Sequence, residues 1–521
     1  MEASSCCDPM LTYANPILPG FYPDPSVCRV GADFYMVTSS FEWFPAVPIF
    51  HSRDLVNWQQ IGHCLNRQSQ LSLDSVRSSG GIFAPTIRHH NGRFYMVTTD
   101  TTGILNFIVH TDDPYGEWSE PVAVNAGGID PSLYFDEDGK VYFTANALVS
   151  EAMPRGLYLW EIDLETGEVL DKVNTMLWAG TGGKHPEASH LYKRDGWYYL
   201  LIAEGGTELG HMISVARSRS VRGPYESCPQ NPILSHRSSS NPIQSTGHGD
   251  FFEDAQGEWW MCFLGVRHVG YPLAHHLGRE TYLTPIDWSD DGWPLVNGGE
   301  QVDLQMEVHR DRQLGLKVTQ PIRDDFDQCA LAFCWNFRRN LSAASWSLRA
   351  RPGHLRLQCL PASIDDVGET AFVGRRLQHF NGRVETKLDF NLSSECEEAG
   401  LAFVMNERFH CEAVLTLREG RRVIVLRKRC GSLVVETVTE WSHHGSVYLR
   451  CQFEAAELHF YAGCDAEGSI FLGAMETRLL STEIAGGFTG LYFGMYASAR
   501  GSVSQNYADF DWIDYAPASS D

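Results

Sequence analysis

Five times along this chain a short motif returns, and that repeat constrains the fold more than any other feature. The copies begin at Asp24-Pro25-Ser26, Ala84-Pro85-Thr86, Asp130-Pro131-Ser132, Glu187-Ala188-Ser189 and His248-Gly249-Asp250. Each runs into a short apolar strand, a turn glycine (Gly31, Gly92, Gly139, Gly196 or Gly257), and then an aromatic-rich strand such as Phe34-Tyr35-Met36-Val37 or Trp197-Tyr198-Tyr199-Leu200. The copies start 46 to 61 residues apart. That is the size of a four-stranded propeller blade, roughly 40–50 residues, with loop insertions. The spacing predicts a ring of five blades over residues 15–300.

In such a ring the first strand of each blade lies innermost. Equivalent positions in different blades therefore meet near one axis, however far apart they are in sequence. The heads of the five copies are Asp24, Ala84, Asp130, Glu187 and His248. Ala84 shows that the position tolerates a small neutral residue. Asp-Pro-Ser can also serve as a plain Asx-type turn into a strand. Three separate acids at converging positions go beyond what a turn requires, because burying carboxylates is costly unless they are paired or used.

The rest of the chain fits a second all-β unit. At 521 residues, length alone suggests two or three domains. After the repeats comes a linker-like passage, 301–323, and then dense short strands over 324–515 without the repeat. Runs such as Arg422-Val423-Ile424-Val425-Leu426 and the alternating Ala508–Tyr515 suit a two-sheet sandwich. Residues 1–14 and 516–521 read as terminal tails.

Bulk properties exclude several partners. A formal charge of −24 argues against nucleic acid or an anionic membrane and fits a neutral ligand. No run approaches the ~18 apolar residues of a membrane span. The N-terminus has neither a basic region nor an apolar stretch, so it does not read as a signal peptide. A cytoplasmic location is expected, or a secreted one if a leader has been removed. The 14 cysteines are scattered without C-x-x-C or zinc-ligand spacing, as expected of reduced thiols.

Three acids in one pocket suffice for inverting glycoside hydrolysis. One carboxylate must be ionised to activate water, and another must be protonated to donate to the leaving oxygen. They stand about 6.5–9.5 Å apart so that water fits between base and sugar. A third can orient the donor and tune its pKa. Asp24, flanked by Pro23 and Pro25, is the candidate base. Glu187, with the longer side chain, is the candidate acid, and Asp130 is left as the orienting group. Residue types alone leave that division of labour open. Trp43 and Phe44, near a strand head, are candidates for stacking on a sugar face, with core packing as the alternative.

The ordered stretches Asn15–Ser26, Gly80–Thr86, Gly128–Ser132, Lys184–Ala188, Gly247–Asp250 and Gly278–Thr281 resemble glycoside hydrolase family 43. More narrowly, they resemble its two-domain β-xylosidases and α-L-arabinofuranosidases. Phe372–Leu377 and Phe488-Thr489-Gly490 resemble that family's C-terminal sandwich, a concanavalin-like jelly roll. The resemblance implies a five-bladed propeller and inversion at the anomeric carbon. It assigns Asp24 as general base, Asp130 as pKa modulator and Glu187 as general acid. It further implies that Arg279 contacts sugar hydroxyls and that His248 lies near the axis, where in some members it helps hold a calcium ion or its water shell. It places Phe83 where many relatives carry Trp, and Phe488 on a sandwich loop at the pocket rim. No cofactor is expected to be required, with structural calcium the one candidate. The expected substrates are xylan- or arabinan-derived oligosaccharides carrying terminal β-D-xylose or α-L-arabinofuranose. The alternatives are action on doubly substituted arabinoxylan and a sugar-binding propeller without catalysis.

Overall fold

Each repeat folds as one antiparallel four-stranded sheet in the computed structural model, which describes residues 10–147, 150, 153–309, 314–315, 323–465 and 469–518. The five innermost strands are Ser26–Val30, Thr86–His90, Ser132–Phe135, Glu187–Arg194 and Ile243–Glu253. They touch in cyclic order, the fifth against the first, which closes the ring. The turn residues explain the first hairpin of a blade. Asn91 and Gly92 have φ of 49° and 81°, and Asp195 and Gly196 have 50° and 71°. Two successive positive φ values match the twist of the flanking strands, as in a type I′ turn.

Closure also uses the chain's beginning. Leu18 and Thr281 exchange backbone hydrogen bonds, and the Tyr13 hydroxyl and Asn15 Nδ2 both donate to the Leu283 carbonyl. Two expectations about chain ends and connections are corrected here. Met10–Ala14 is no tail: it pairs antiparallel with Gln305–His309, inside the stretch read as linker. Alternating burial along Met10–Ala14 supplies the cause, with Leu11 and Tyr13 packed into the propeller core. At the other end, the strand Tyr507–Pro517 takes in residues 516 and 517, because Gly382 and Arg383 pair with them.

Two eight-stranded sheets form the second unit. One of them is completed by the propeller. Its eighth strand is Trp43–Phe44, from the first blade, which pairs with Asn336–Arg338 in the register Phe337↔Phe44 and Arg338↔Trp43. The indole of Trp43 stacks on Tyr492 at 3.5 Å and 8°. Both Trp43 and Phe44 are buried. They are therefore interdomain packing residues and not a sugar platform, which corrects the reading from sequence.

A single apolar core runs through the junction, joining Phe44, Leu71, Leu73 and Ile82 of the propeller to Phe337, Val373 and Leu377 of the sandwich. Buried arginines finish the contact. Arg338 Nη2 donates to Ser78 Oγ, Arg339 Nε to the Val76 carbonyl, and Arg376 Nε to the Phe21 carbonyl. Gly278 and Gly490 meet so closely that a Cβ on Gly278 would lie 2.8 Å from Gly490 Cα. Glycine is required there because two backbones touch.

Candidate active site

The blade heads arrive in an uncommon conformation. Asp24, Asp130 and His248, at equivalent places in three blades, have φ of 57°, 56° and 46°. A left-handed L-residue costs roughly 1–2 kcal/mol, and such residues gather where a site over-determines them. In the fourth blade the left-handed residue is Ala188, φ 54°, and a bulge follows Glu187. Bulges re-aim side chains next to active sites. This one sets Glu187 one position off the register of the two aspartates.

Asp24 is buried and fully engaged. Ser39 Oγ donates to Oδ2 at 2.5 Å, and Arg279 Nη1 donates to Oδ1 at 2.8 Å. His248 Nδ1 lies 3.5 Å from Oδ1. Burial pushes this carboxyl up, but Arg279, His248 and Ser39 together outweigh it and hold Asp24 below its ordinary value. The other two acids move the opposite way. Burial, then the Asp24 carboxylate, raises Glu187 to about 7. Asp130 is raised well above its usual range by burial and by Glu187 and Asp24, although the Ala188 N–H donates to it. One ionised acid thus faces a pair that retains a proton near neutrality. Glu187 is also the least buried of the three, which suits a donor at the mouth of the pocket.

One wall is aromatic. Phe41 and Phe488 stack at 6.0 Å, and Phe83 meets Phe41 at 5.2 Å and Phe488 at 6.2 Å. Phe488 is 41% exposed, so it is no sandwich-core residue. Its N–H donates to Ser79 Oγ and its carbonyl accepts from Arg279 Nη2. The Arg279 guanidinium lies 5.6 Å from the Phe41 ring and 5.9 Å from the Phe488 ring. Arg279, His248, Phe83 and Phe488 therefore join the three acids, and Trp43 and Phe44 do not.

Sequence reasoning missed Ser39, Phe41 and His211. His211 is buried, its Nδ1 3.1 Å from the Ser245 carbonyl, and burial lowers it to about 3, so it is neutral. Its ring lies against Gly247, where a Cβ would come within 2.1 Å. No repeat marks His211. The Gly247 in front of His248 was the sole hint, and it points to a close approach without naming the partner.

Further along the innermost strands an ion pair joins the second blade to the fifth. Arg88 donates to both oxygens of Asp250 at 2.8 and 3.0 Å, and Ser26 and Tyr192 hydroxyls donate to the same carboxylate. Arg88 Nη2 also reaches His190 Nδ1 at 3.1 Å. This tests the expected calcium. The ion prefers six to eight oxygen ligands. Here the Asp250 carboxylate is saturated by donors, the Asp24 carboxylate beside His248 is taken by Arg279 and Ser39, and Arg88 already brings positive charge to the axis. These residues do not fit a calcium ion held directly through His248.

The comparisons with known proteins agree with this architecture. Residues 13–294 match Glycosyl hydrolases family 43, and residues 323–516 match the Beta xylosidase C-terminal Concanavalin A-like domain. The chain is 40% identical over 510 residues to a non-reducing-end α-L-arabinofuranosidase of Bacteroides ovatus, covering 97% of this chain and 94% of the relative. It is 37% identical over 524 residues to a xylosidase/arabinosidase of Butyrivibrio fibrisolvens, covering 97% and 99%. The solved structure of the Bacteroides ovatus xyloglucan PUL GH43B superimposes with a TM-score of 0.93 at 39% identity, over 98% of this chain and all of that one. With its five blades, its sandwich and its acids at the blade heads, this chain belongs to glycosyl hydrolase family 43.

Proposed function

We infer that this protein is an inverting, exo-acting glycoside hydrolase that releases terminal β-D-xylose or α-L-arabinofuranose from xylan- or arabinan-derived oligosaccharides. The observation that carries the reading is the opposite displacement of two buried acids, Asp24 downward and Glu187 up to about 7. Asp24, ionised, takes a proton from water as its oxygen attacks the anomeric carbon. Glu187, protonated, gives its proton to the departing glycosidic oxygen. The new hydroxyl forms on the face opposite the leaving group, so the configuration inverts. Asp130, charged only at a cost beside the other two, keeps the Glu187 proton in place and turns its carboxyl. Arg279 holds Asp24 rigid and has donors for sugar hydroxyls.

Exo action is supported by the 40% identical relative, which is named as acting at the non-reducing end. Phe41, Phe83 and Phe488 form an aromatic cluster beside Arg279, and Phe488 is the member of it that is exposed to a ligand. A non-catalytic sugar-binding propeller is disfavoured because all three acids remain. The substrates named for the relatives include both arabinofuranosides and xylosides. The test is to assay aryl β-D-xyloside and aryl α-L-arabinofuranoside side by side, with proton NMR of the first product. Release of either pentose as the inverted anomer is expected. Initial retention, or release of neither sugar, would overturn the reading.

A further inference from the structure

We propose that His268, His275 and Glu483 form a binding site for a zinc-class divalent cation that bridges the fifth blade and the sandwich. Their donor atoms all lie within 4.8 Å of one another. In the present arrangement His275 Nδ1 is 2.7 Å and His268 Nε2 3.3 Å from the same oxygen, Glu483 Oε1. Ligands of a tetrahedral zinc ion, bound at about 2.0–2.1 Å, stand about 3.3 Å apart. Sub-ångström movements would convert this hydrogen-bonded triad into three ligands of such an ion.

The frame that holds them is built before any ion arrives. His268 follows the strand Trp259–Arg267, and the chain turns back so that the Val269 N–H donates to the Ala274 carbonyl at 2.8 Å. That turn brings the two imidazoles edge to face, ring centres 5.5 Å apart. Glu483 stands on the short helical turn Thr482–Ala485. Thr482 N–H donates to the His275 carbonyl, and the His275 N–H donates to Glu483 Oε2. The main chains of both domains thus fix the ligand positions.

One observation points beyond a plain hydrogen-bonded clasp. The His268 side chain is only 7% exposed and its Nδ1 is buried with no hydrogen-bond partner, so Nε2, turned toward Glu483, is the nitrogen it offers to the cluster. His268 also lines a cleft of about 630 Å³ with Leu209, Arg237, Asn241, Gln244 and Leu273, which gives solvent access on that side. Three protein ligands and an open position are a recurrent zinc arrangement. Two imidazoles and one carboxylate are a poor set for calcium or magnesium, which take oxygen.

Occupancy would act on the pocket. Glu483 lies just upstream of Phe488, and the intervening Gly487 sits against Ser79. A bound ion would hold the sandwich segment that carries this lip against the propeller.

The experiment uses the full chain after chelator treatment, titrated with ZnCl2 by calorimetry and with CoCl2 by visible absorption. One equivalent of zinc should bind, raising the melting temperature, and cobalt should give the ligand-field spectrum of a four-coordinate nitrogen–oxygen site. His275→Ala should weaken zinc at least about 100-fold and abolish the spectrum, as ligand loss exceeds the 10–100-fold typical of outer-shell changes. Glu483→Gln, which retains hydrogen-bonding capacity, should do the same while keeping the wild-type circular dichroism. Absence of zinc binding by the wild type, or equal binding by both variants, would overturn the proposal and leave the triad as a hydrogen-bonded clasp.

Discussion

Replacing the Asp24 carboxylate by an amide removes the proposed proton acceptor and leaves the arginine beside it unpaired. Asp24→Asn and Asp130→Asn should each lower kcat by about 10²–10⁴-fold, the usual worth of acid–base catalysis, with the protein still folded; near-normal turnover would remove them from the mechanism. Glu187→Gln should separate substrates by leaving group. Xylobiose needs a proton on the departing oxygen and a nitrophenolate needs little help, so activity on xylobiose should fall far more; equal losses would exclude Glu187 as the acid. The pH profile follows from the same displacements. Asp24 works ionised and is held below its ordinary value, so activity should persist on the acid side to below the usual carboxylate range. Glu187 works protonated, so kcat/KM on xylobiose should fall as pH rises through about 7, with the buried acids titrating together. A nitrophenyl glycoside should lose this alkaline limb. The acids were legible because a repeat makes any functional departure at its head conspicuous. Trp43 and Phe44 misled for a physical reason: an aromatic near a strand head has the same composition whether it faces a sugar or a neighbouring sheet, and only the partner strand, some 290 residues away, decides. His211 stands in no pattern at all.

Among the elements, the segment from Ser481 to Gly490 does most to complete the pocket from outside the propeller. Phe488→Ala should remove the stacked face over Phe41 and raise KM on oligosaccharides by about 10-fold, on the scale of 0.5–1.5 kcal/mol for an aromatic pair plus lost burial, with a smaller change in kcat. An unchanged KM would make Phe488 a spectator. Gly490→Ala should act differently. Its Cβ would sit 2.3 Å from the Leu277 carbonyl, a backbone atom that cannot swing away. A loss of about 1–3 kcal/mol is expected, read as a lower melting temperature. The innermost strands and their hairpins could be read in advance because apolar runs, turn glycines and spacing coincide. The pair Met10–Ala14 and Gln305–His309 could not, because each is five residues long and its partner lies at the other end of the propeller. Sandwich strands were recognisable as strands, while their order in the sheets follows from packing that no local pattern records.

For the whole molecule the governing fact is that one sheet contains strands from both domains. A chain ending at residue 309 would keep all five blades but lose the seven sandwich strands that Trp43–Phe44 joins. It would expose Trp43, Phe44, Leu71 and Leu73, apolar surface of the kind that drives association. Such a fragment should aggregate and lack activity on nitrophenyl pentosides; a soluble fragment with full activity would show the sandwich to be an accessory. Two domains were evident from the end of the repeat, but a shared sheet was not, since nothing in a two-residue strand announces its destination. That sharing also sets a schedule for the chain's birth. Ser79 must wait for Phe488, which is 409 residues downstream. At roughly 5–20 residues per second of synthesis, the gap is about 20–80 s. For the later part of it, from the last strand of the fifth blade at Val296 until Phe488 is made, about 10–40 s at that rate, the three acids can already stand in a nascent propeller whose pocket has no lip. The proposed catalytic acids all lie in the first 187 residues to be made, and the lip of the pocket they would serve is made near the end.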